Sequence, residues 1–180
     1  MGRSLNGQAK IRRANKDDLL AIAEVATQAF SGLRPFHLAR KWVRACYSAS
    51  SRMEYWVAEV ANPPQLVGYI LWIEKGGFRK EAVFELEQIA VRADFRGRGM
   101  GAKLIRTSLK GLESRLRRRG SALKLVEITT GSTQNALTFY RRVLGARPVA
   151  KIPSFFRGDE YILIARRGGG DRGGCPSRVT

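Results

Sequence analysis

Ile89-Ala-Val-Arg-Ala-Asp-Phe-Arg-Gly-Arg-Gly-Met-Gly-Ala-Lys-Leu-Ile105 begins with the pattern of an apolar strand and ends with that of an amphipathic helix. Between them lies Arg96-Gly97-Arg98-Gly99-Met100-Gly101, a glycine-rich turn carrying two arginines. Glycine at alternate positions allows positive φ and lets a ligand come close to the main chain. A helix that starts there offers N–H groups without internal partners at the positive end of its dipole. That arrangement suits phosphate or pyrophosphate. A plain strand-to-helix turn with solvated arginines fits the same residues, and the turn alone does not choose between the two.

The rest of the chain narrows the choice. Upstream, 82–91 reads as a long strand, while 53–60 and 66–74 flank Ala61-Asn-Pro-Pro-Gln65 as a hairpin. Residues 10–14 form a short first strand. Asn15 is a helix N-cap, and Asp18 three residues later echoes a capping box. Leu19, Leu20, Ile22, Ala23, Ala26 and Phe30 then recur at helical spacing, so 16–30 is predicted as a helix. Pro35 opens a second helix with Phe36, Ala39, Trp42, Val43 and Cys46 as its apolar stripe. Downstream, a helix from about Gly99 to Arg119 carries Leu104, Ile105, Leu109, Leu112 and Leu116 on one side. A strand over 122–130, a helix over 133–144 ended by Gly145, and strands over 149–156 and 161–165 complete the order β-α-α-β-β-β-α-β-α-β-β. This predicts one mixed α/β domain of the α+β type over 10–165. Residues 1–9 are expected to be a flexible leader and the Gly/Arg-rich 166–180 a disordered tail. A Rossmann fold is excluded because the glycine turn does not follow a first strand of an alternating βαβ series. A Walker A loop is excluded because no Gly-Lys-Ser/Thr follows the turn.

Composition bounds the function. The chain has 180 residues, 44% of them hydrophobic, which is enough for a real core. No apolar run approaches the roughly 20 residues of a bilayer span, and the N-terminus has no apolar signal core, so a soluble cytoplasmic protein without membrane partners is expected. Cys46 and Cys175 are the two cysteines and neither belongs to a CxxC pair, which argues against a disulfide framework and a zinc site. His37, the single histidine, has no second ligand in range and reads as a surface or capping group. Lys and Arg number 33 against 15 Asp and Glu, a net charge of +18. Such a field draws polyanions such as RNA, a ribosomal surface or a phosphate-rich cofactor, but a surface tuned for solubility would look the same.

A second motif stands downstream of the glycine turn: Ala136-x-x-Phe139-Tyr140, followed by Leu144-Gly145. With Arg96-x-x-Gly99-x-Gly101, and with the elements in this order from Ile11 to about Arg167, the chain resembles the GNAT superfamily of N-acetyltransferases. The resemblance implies a mixed, mostly antiparallel central sheet of about seven strands with flanking helices. It implies acetyl-CoA as co-substrate and no metal. Ile89, Ala90 and Val91 would lie alongside pantetheine. Arg96, Gly97, Arg98, Gly99, Met100 and Gly101 would receive the pyrophosphate, with Lys103 or Arg106 adding charge. The family's usual asparagine, seven residues before the tyrosine, is Thr133 here, and its contact to pantetheine falls to Thr133, Ser132 or Asn135. The family's closing Leu-Gly-Phe arrives one residue late and ends in Ala146.

Amine acetylation requires a base for the ammonium, a donor for the thioester oxygen and an acid for the departing thiolate. Strand alternation puts Glu85 and Glu87 on one face and Phe84 and Leu86 on the other. Repulsion between the two carboxylates would raise the pKa of one. Pairing with nearby arginines is the alternative role for both. The resemblance makes Glu85 the first choice of base, with Glu87 next and Glu127 a third candidate on the neighbouring strand. It makes Tyr140 the general acid, packing beside Phe139 being its other role. Cys46 has no evident histidine partner, so direct transfer without an acyl-enzyme is expected. The acceptor is left open among a protein N-terminus, a lysine and a small amine. The basic field disfavours polycationic acceptors such as polyamines and favours acidic or RNA-associated ones, unless the local carboxylates override it. Phe36, Phe155 and Phe156, near the expected acceptor loops at 31–37 and 153–159, either line that pocket or simply pack. The competing reading is a nucleic-acid or ribosome-binding protein on the same scaffold without catalysis, RNA contact being otherwise an accessory property. Monomer and homodimer are both open.

Overall fold

The computed structural model describes residues 9–30, 35–50, 52–77, 79–156 and 158–167. Most of the expected leader and tail lies outside the described residues, as does the acceptor-loop segment 31–34. The elements are β1 (Lys10–Arg13), α1 (Leu19–Ala29), α2 (Phe36–Ser48), β2 (Met53–Ala61), β3 (Pro64–Lys75), β4 (Glu81–Val91), α3 (Met100–Arg118), β5 (Ala122–Gly131), α4 (Gln134–Leu144), β6 (Arg147–Ile152) and β7 (Glu160–Arg166). The seven strands form one sheet in the order β1-β2-β3-β4-β5-β7-β6, antiparallel except for β4 beside β5. The expected α+β architecture is the observed one. Ala9 is buried in the core, Arg166 pairs with Leu125, and the Arg167 N–H donates to the Lys124 carbonyl at 2.7 Å.

Helices cover both faces. On one, Leu104, Ile105, Leu109, Leu112 and Leu116 of α3, with Tyr140 and Leu144 of α4, pack onto Trp72, Phe84, Leu86 and Val126. On the other, Ile22, Ala23 and Val25 of α1, with Val43 and Cys46 of α2, cover Tyr55, Val57, Tyr69 and Leu71. Two close approaches seat α3. Trp72 Nε1 donates to the buried Ser108 Oγ at 2.9 Å. Trp56 lies so near Gly111 that a Cβ there would stand 2.2 Å from the indole ring.

The structure corrects three local expectations. Lys16–Asp18 is a 3₁₀ turn ahead of α1, not its first turn. Asp18 closes the capping box there, accepting from the Asn15 N–H at 2.7 Å and from Arg12 at 2.7 and 2.8 Å. The apolar stripe of α2 is narrower than predicted. Val43 and Cys46 are buried, but Trp42 is 55% and Phe36 37% exposed, because the helix packs on one side only. The strand expected over 149–156 runs instead over Arg147–Ile152. Pro153 follows it, and Ser154 at φ 49° turns the chain, its N–H donating to Asp159.

Two irregularities shape the middle of the sheet. Pairing between β4 and β5 stops at Glu85 opposite Glu127, so 86–91 and 128–131 part from each other. The β3–β4 register skips one residue, Leu71 facing Gln88 and Trp72 facing Leu86, which leaves Glu87 as the extra residue of a β-bulge.

Candidate active site

The parted strands leave alternate main-chain groups of 86–91 without a strand partner on the β5 side. An exposed row of this kind recognises an extended ligand by β-augmentation. At the far end of β4 the chain enters the glycine turn. Gly97 and Gly99 take φ of 74° and 76°, which disfavours a side chain at either position. Gly99 is the N-cap of α3 and provides no side-chain cap, so the first N–H groups of that helix are open to an anion. Gly101 has a different role: a Cβ there would meet the Phe139 ring of α4 at 3.3 Å, so its smallness lets the two motifs dock.

The arginines of the turn are partly committed. Arg96 Nε donates to the Val91 carbonyl at 2.8 Å, tying the turn to the end of β4. The Arg98 guanidinium lies 5.8 Å from the centre of the Phe95 ring. Lys103 Nζ donates to the Ala9 carbonyl at 2.6 Å, whereas Arg106 is exposed and unengaged in any hydrogen bond among the described residues. The open helix terminus is therefore the least committed of the groups that could receive an anion. Thr133 is the N-cap of α4, its Oγ1 accepting from the Ala136 N–H at 3.4 Å, and Asn135 is exposed on the first turn of that helix.

The fork between β4 and β5 opens into a cleft of about 970 Å³. It brings together all three candidate bases, Glu85, Glu87 and Glu127, with Tyr140 and Ile89. Phe30, Phe155 and Phe156 line it as well, Phe155 and Phe156 being 47% and 72% exposed, while Phe36 is not part of its lining. Lys75, Thr129, Thr130 and Glu160, none of them singled out from sequence, complete its polar wall. Four carboxylates against one lysine make this a locally acidic cleft in a strongly basic chain.

The carboxylates are not equivalent. Lys75 Nζ donates to Glu127 Oε1 at 2.9 Å and lies 3.3 Å from Glu85 Oε2. Burial pulls the lysine pKa down, but the bond to Glu127 and the charges of both glutamates outweigh it, and the net shift is upward. Lys75 is thus held as a cation. Glu85 and Glu127 are both paired, and their partner is this lysine, not an arginine. Glu87 belongs to none of the ion pairs among the described residues. Burial raises its pKa, the charge of Glu85 raises it further, and Lys75 only partly offsets this. Strand alternation alone did not foresee this inequality, since the bulge sets Glu87 apart.

Tyr140 is buried beside Phe139, ring centroids 5.2 Å apart and edge-on, with burial pushing its pKa up to about 12. Tyr140 both packs beside Phe139 and lines the cleft. Cys46 lies in the α1–α2 core outside the cleft, and burial raises its thiol pKa, which disfavours a nucleophilic thiolate. His37 is exposed near the start of α2, also outside the cleft lining. Among the described residues no group of three or more His, Cys, Asp or Glu is placed to hold a metal, and no helix is long and apolar enough to cross a membrane.

The family model of the GNAT acetyltransferase domain matches residues 51–143, which include the fork, the glycine turn and Tyr140. The chain belongs to the GNAT family of acetyltransferases. It is 31% identical over 142 residues to an uncharacterised N-acetyltransferase of Methanocaldococcus jannaschii, covering 74% of this chain and 58% of that protein. This GNAT chain therefore spans less than two thirds of that relative's length. An uncharacterised N-acetyltransferase of Archaeoglobus fulgidus is 31% identical over 140 residues, 73% of this chain and 88% of that one. Among solved structures, NAA60 of Arabidopsis thaliana in complex with acetyl-CoA superposes with a TM-score of 0.71 at 16% identity, covering 90% of this chain and 100% of the other. Ard1 from Thermoplasma volcanium gives 0.63 at 19% identity, over 87% and 95%. At these identities the structural likeness establishes the GNAT fold.

Proposed function

We propose that this GNAT protein moves an acetyl group from acetyl-CoA directly to a primary amine, with Glu87 as general base and Tyr140 as general acid. The observation that carries the reading is the convergence of an unpaired carboxylate, a buried phenol and the parted ends of β4 and β5 on one cleft. The groove fits the co-substrate: 86–91 offers unpaired backbone to an amide-bearing arm, and the uncapped start of α3 offers donors to a pyrophosphate. Acetyl-CoA supplies the thioester. Glu87 takes the proton of the acceptor ammonium, directly or through water. A main-chain N–H near Ile89 to Val91 donates to the developing oxyanion. Tyr140, protonated at neutral pH, donates to the departing thiolate.

The acidic lining favours cationic amines over the acidic acceptors suggested by net charge, and Phe30, Phe155 and Phe156 offer apolar contact to the acceptor's body. Arg106, Lys110, Arg117 and Arg118 are exposed on α3, and an accessory polyanion contact would fall there. A screen of primary amines with acetyl-CoA, read by thiol release, tests the reading. Acetyl-CoA-dependent thiol release with an amine is expected. No release with any amine and no thermal stabilisation by acetyl-CoA would leave the non-catalytic reading in its place. Tyr140→Phe is expected to lower turnover about 10- to 100-fold, the low end of general acid catalysis, because a thiol of ordinary pKa near 8.5 is not a poor leaving group. The apparent Michaelis constant for acetyl-CoA should change little. Unaltered turnover would remove Tyr140 from the chemistry.

A further inference from the structure

Lys75 ends β3, pairs in register with Val83 of β4, and sends its side chain past Glu85 to Glu127 on β5. It thus spans three strands at the fork where β4 and β5 separate. Glu85 and Glu127 face each other directly as the last β4–β5 pair, and like charges so placed repel. The lysine ammonium offsets that repulsion from inside the acceptor cleft, with its side chain still 39% exposed. Next along β4 on the same side is Glu87, which lacks a cation of its own. Two residues along a strand span about 6.8 Å, comparable to the separation of the two nitrogens in a diamine of four or five carbons. A diamine with its reacting nitrogen at Glu87 would reach with its second ammonium toward the carboxylates of Glu85 and Glu127, which Lys75 Nζ already engages.

We propose that Lys75 is a specificity-determining residue, a built-in ammonium that fills the position between Glu85 and Glu127 and thereby excludes the second cation of a diamine acceptor. The inference rests on the acetyltransferase reading for its kinetic consequence but not for its binding consequence. Two arginines at the end of α3 pair with buried carboxylates of the sheet in the ordinary way: Arg115 with Glu54 of β2, and Arg119 with Glu74 of β3. Neither of those pairs lines the cleft. Lys75 differs in standing where an acceptor must enter.

The test compares pentylamine with 1,5-diaminopentane on the wild type, Lys75→Ala, Lys75→Gln and Lys75→Arg. Removing the cation should raise the diamine-to-monoamine ratio of kcat/KM at least tenfold, the change lying mainly in KM for the diamine. Lys75→Arg should keep the wild-type ratio. A ratio that stays within threefold of wild type in a folded, charge-removed variant overturns the proposal. Glutamine retains more of the side-chain volume if the alanine variant fails to fold. Binding separates this from the function itself: 1,5-diaminopentane should protect Lys75→Ala or Lys75→Gln from thermal unfolding more than it protects the wild type, whether or not thiol is released. Equal protection overturns the proposal. Thiol release absent with every amine, together with stronger protection of the variants, would instead count against the acetyltransferase reading and leave this inference standing.

Discussion

Glu87→Gln is expected to lower kcat about 10²- to 10⁴-fold, the usual contribution of a positioned base, without lowering stability at neutral pH. Both parts follow from the same environment. Burial and the charge of Glu85 disfavour the ionised form of Glu87, and Lys75, engaged by two other carboxylates, only partly offsets them. A carboxyl whose folded pKa lies above its unfolded one favours the fold when protonated. The stability penalty is absent below the unfolded pKa and complete above the folded one. The wild type should therefore lose stability relative to Glu87→Gln as pH rises through that window, and denaturant unfolding of both proteins at acid and neutral pH reads the difference. Activity runs the other way. The base works when ionised, so kcat/KM should climb with pH through a pKa above the ordinary glutamate range, and the variant should lose that limb. Glu85→Gln is expected to be milder, because Glu85 already shares a cation. Wild-type turnover in Glu87→Gln would move the base to Glu85 or Glu127. A large loss of stability in the variant would mean that the carboxylate is structural.

The parts of this molecule that were legible in its sequence are those governed by local rules. Leu104, Ile105, Leu109, Leu112 and Leu116 recur with the period of a helix, and all five are buried. Asn15 and Asp18 cap as their spacing predicts, although the turn they cap is 3₁₀. Gly145 ends α4 in the left-handed conformation at φ 69°. Glu85, Glu87, Glu127 and Tyr140 do meet in one cleft. What was not legible depends on how strands slide against one another. Alternation places Glu85 and Glu87 alike, whereas the bulge makes Glu87 the unmatched residue. Lys75 lies just outside the strand expected over 66–74, and only the register of three strands brings its ammonium between Glu85 and Glu127. Trp42 had the spacing of a core residue, yet α2 packs on one side only and leaves it exposed. Net charge says least about the cleft: it is a sum over the whole surface, and a cleft can carry the opposite sign, as the carboxylates of Glu85, Glu87 and Glu127 allowed.

Gly99→Val is expected to raise the Michaelis constant for acetyl-CoA roughly 10- to 30-fold, with kcat at saturation largely retained. Gly99 sits at φ 76°, where a side chain costs about 1–2 kcal/mol and a β-branched one is especially crowded. The chain relieves this by turning the residue out of the left-handed region, which re-aims the first N–H groups of α3. If those groups cradle the pyrophosphate, their loss falls on binding, since each tenfold in affinity corresponds to about 1.4 kcal/mol. Glu87 and Tyr140 stand on other elements and should keep their geometry once the co-substrate is bound. Arg98→Ala supplies the contrast. Its guanidinium rests against Phe95 at the surface of the turn, and its removal leaves the main-chain donors in place, so a change of only a few-fold is expected. Arg96→Ala is a poorer probe, because it also releases the carbonyl of Val91 at the end of β4. Isothermal titration with acetyl-CoA distinguishes the two contributions. A large loss with Arg98→Ala and little with Gly99→Val would assign the pyrophosphate to side-chain charge. The reverse order would assign it to the open end of a helix, where a glycine is required because its φ must be positive and the space above it must stay free.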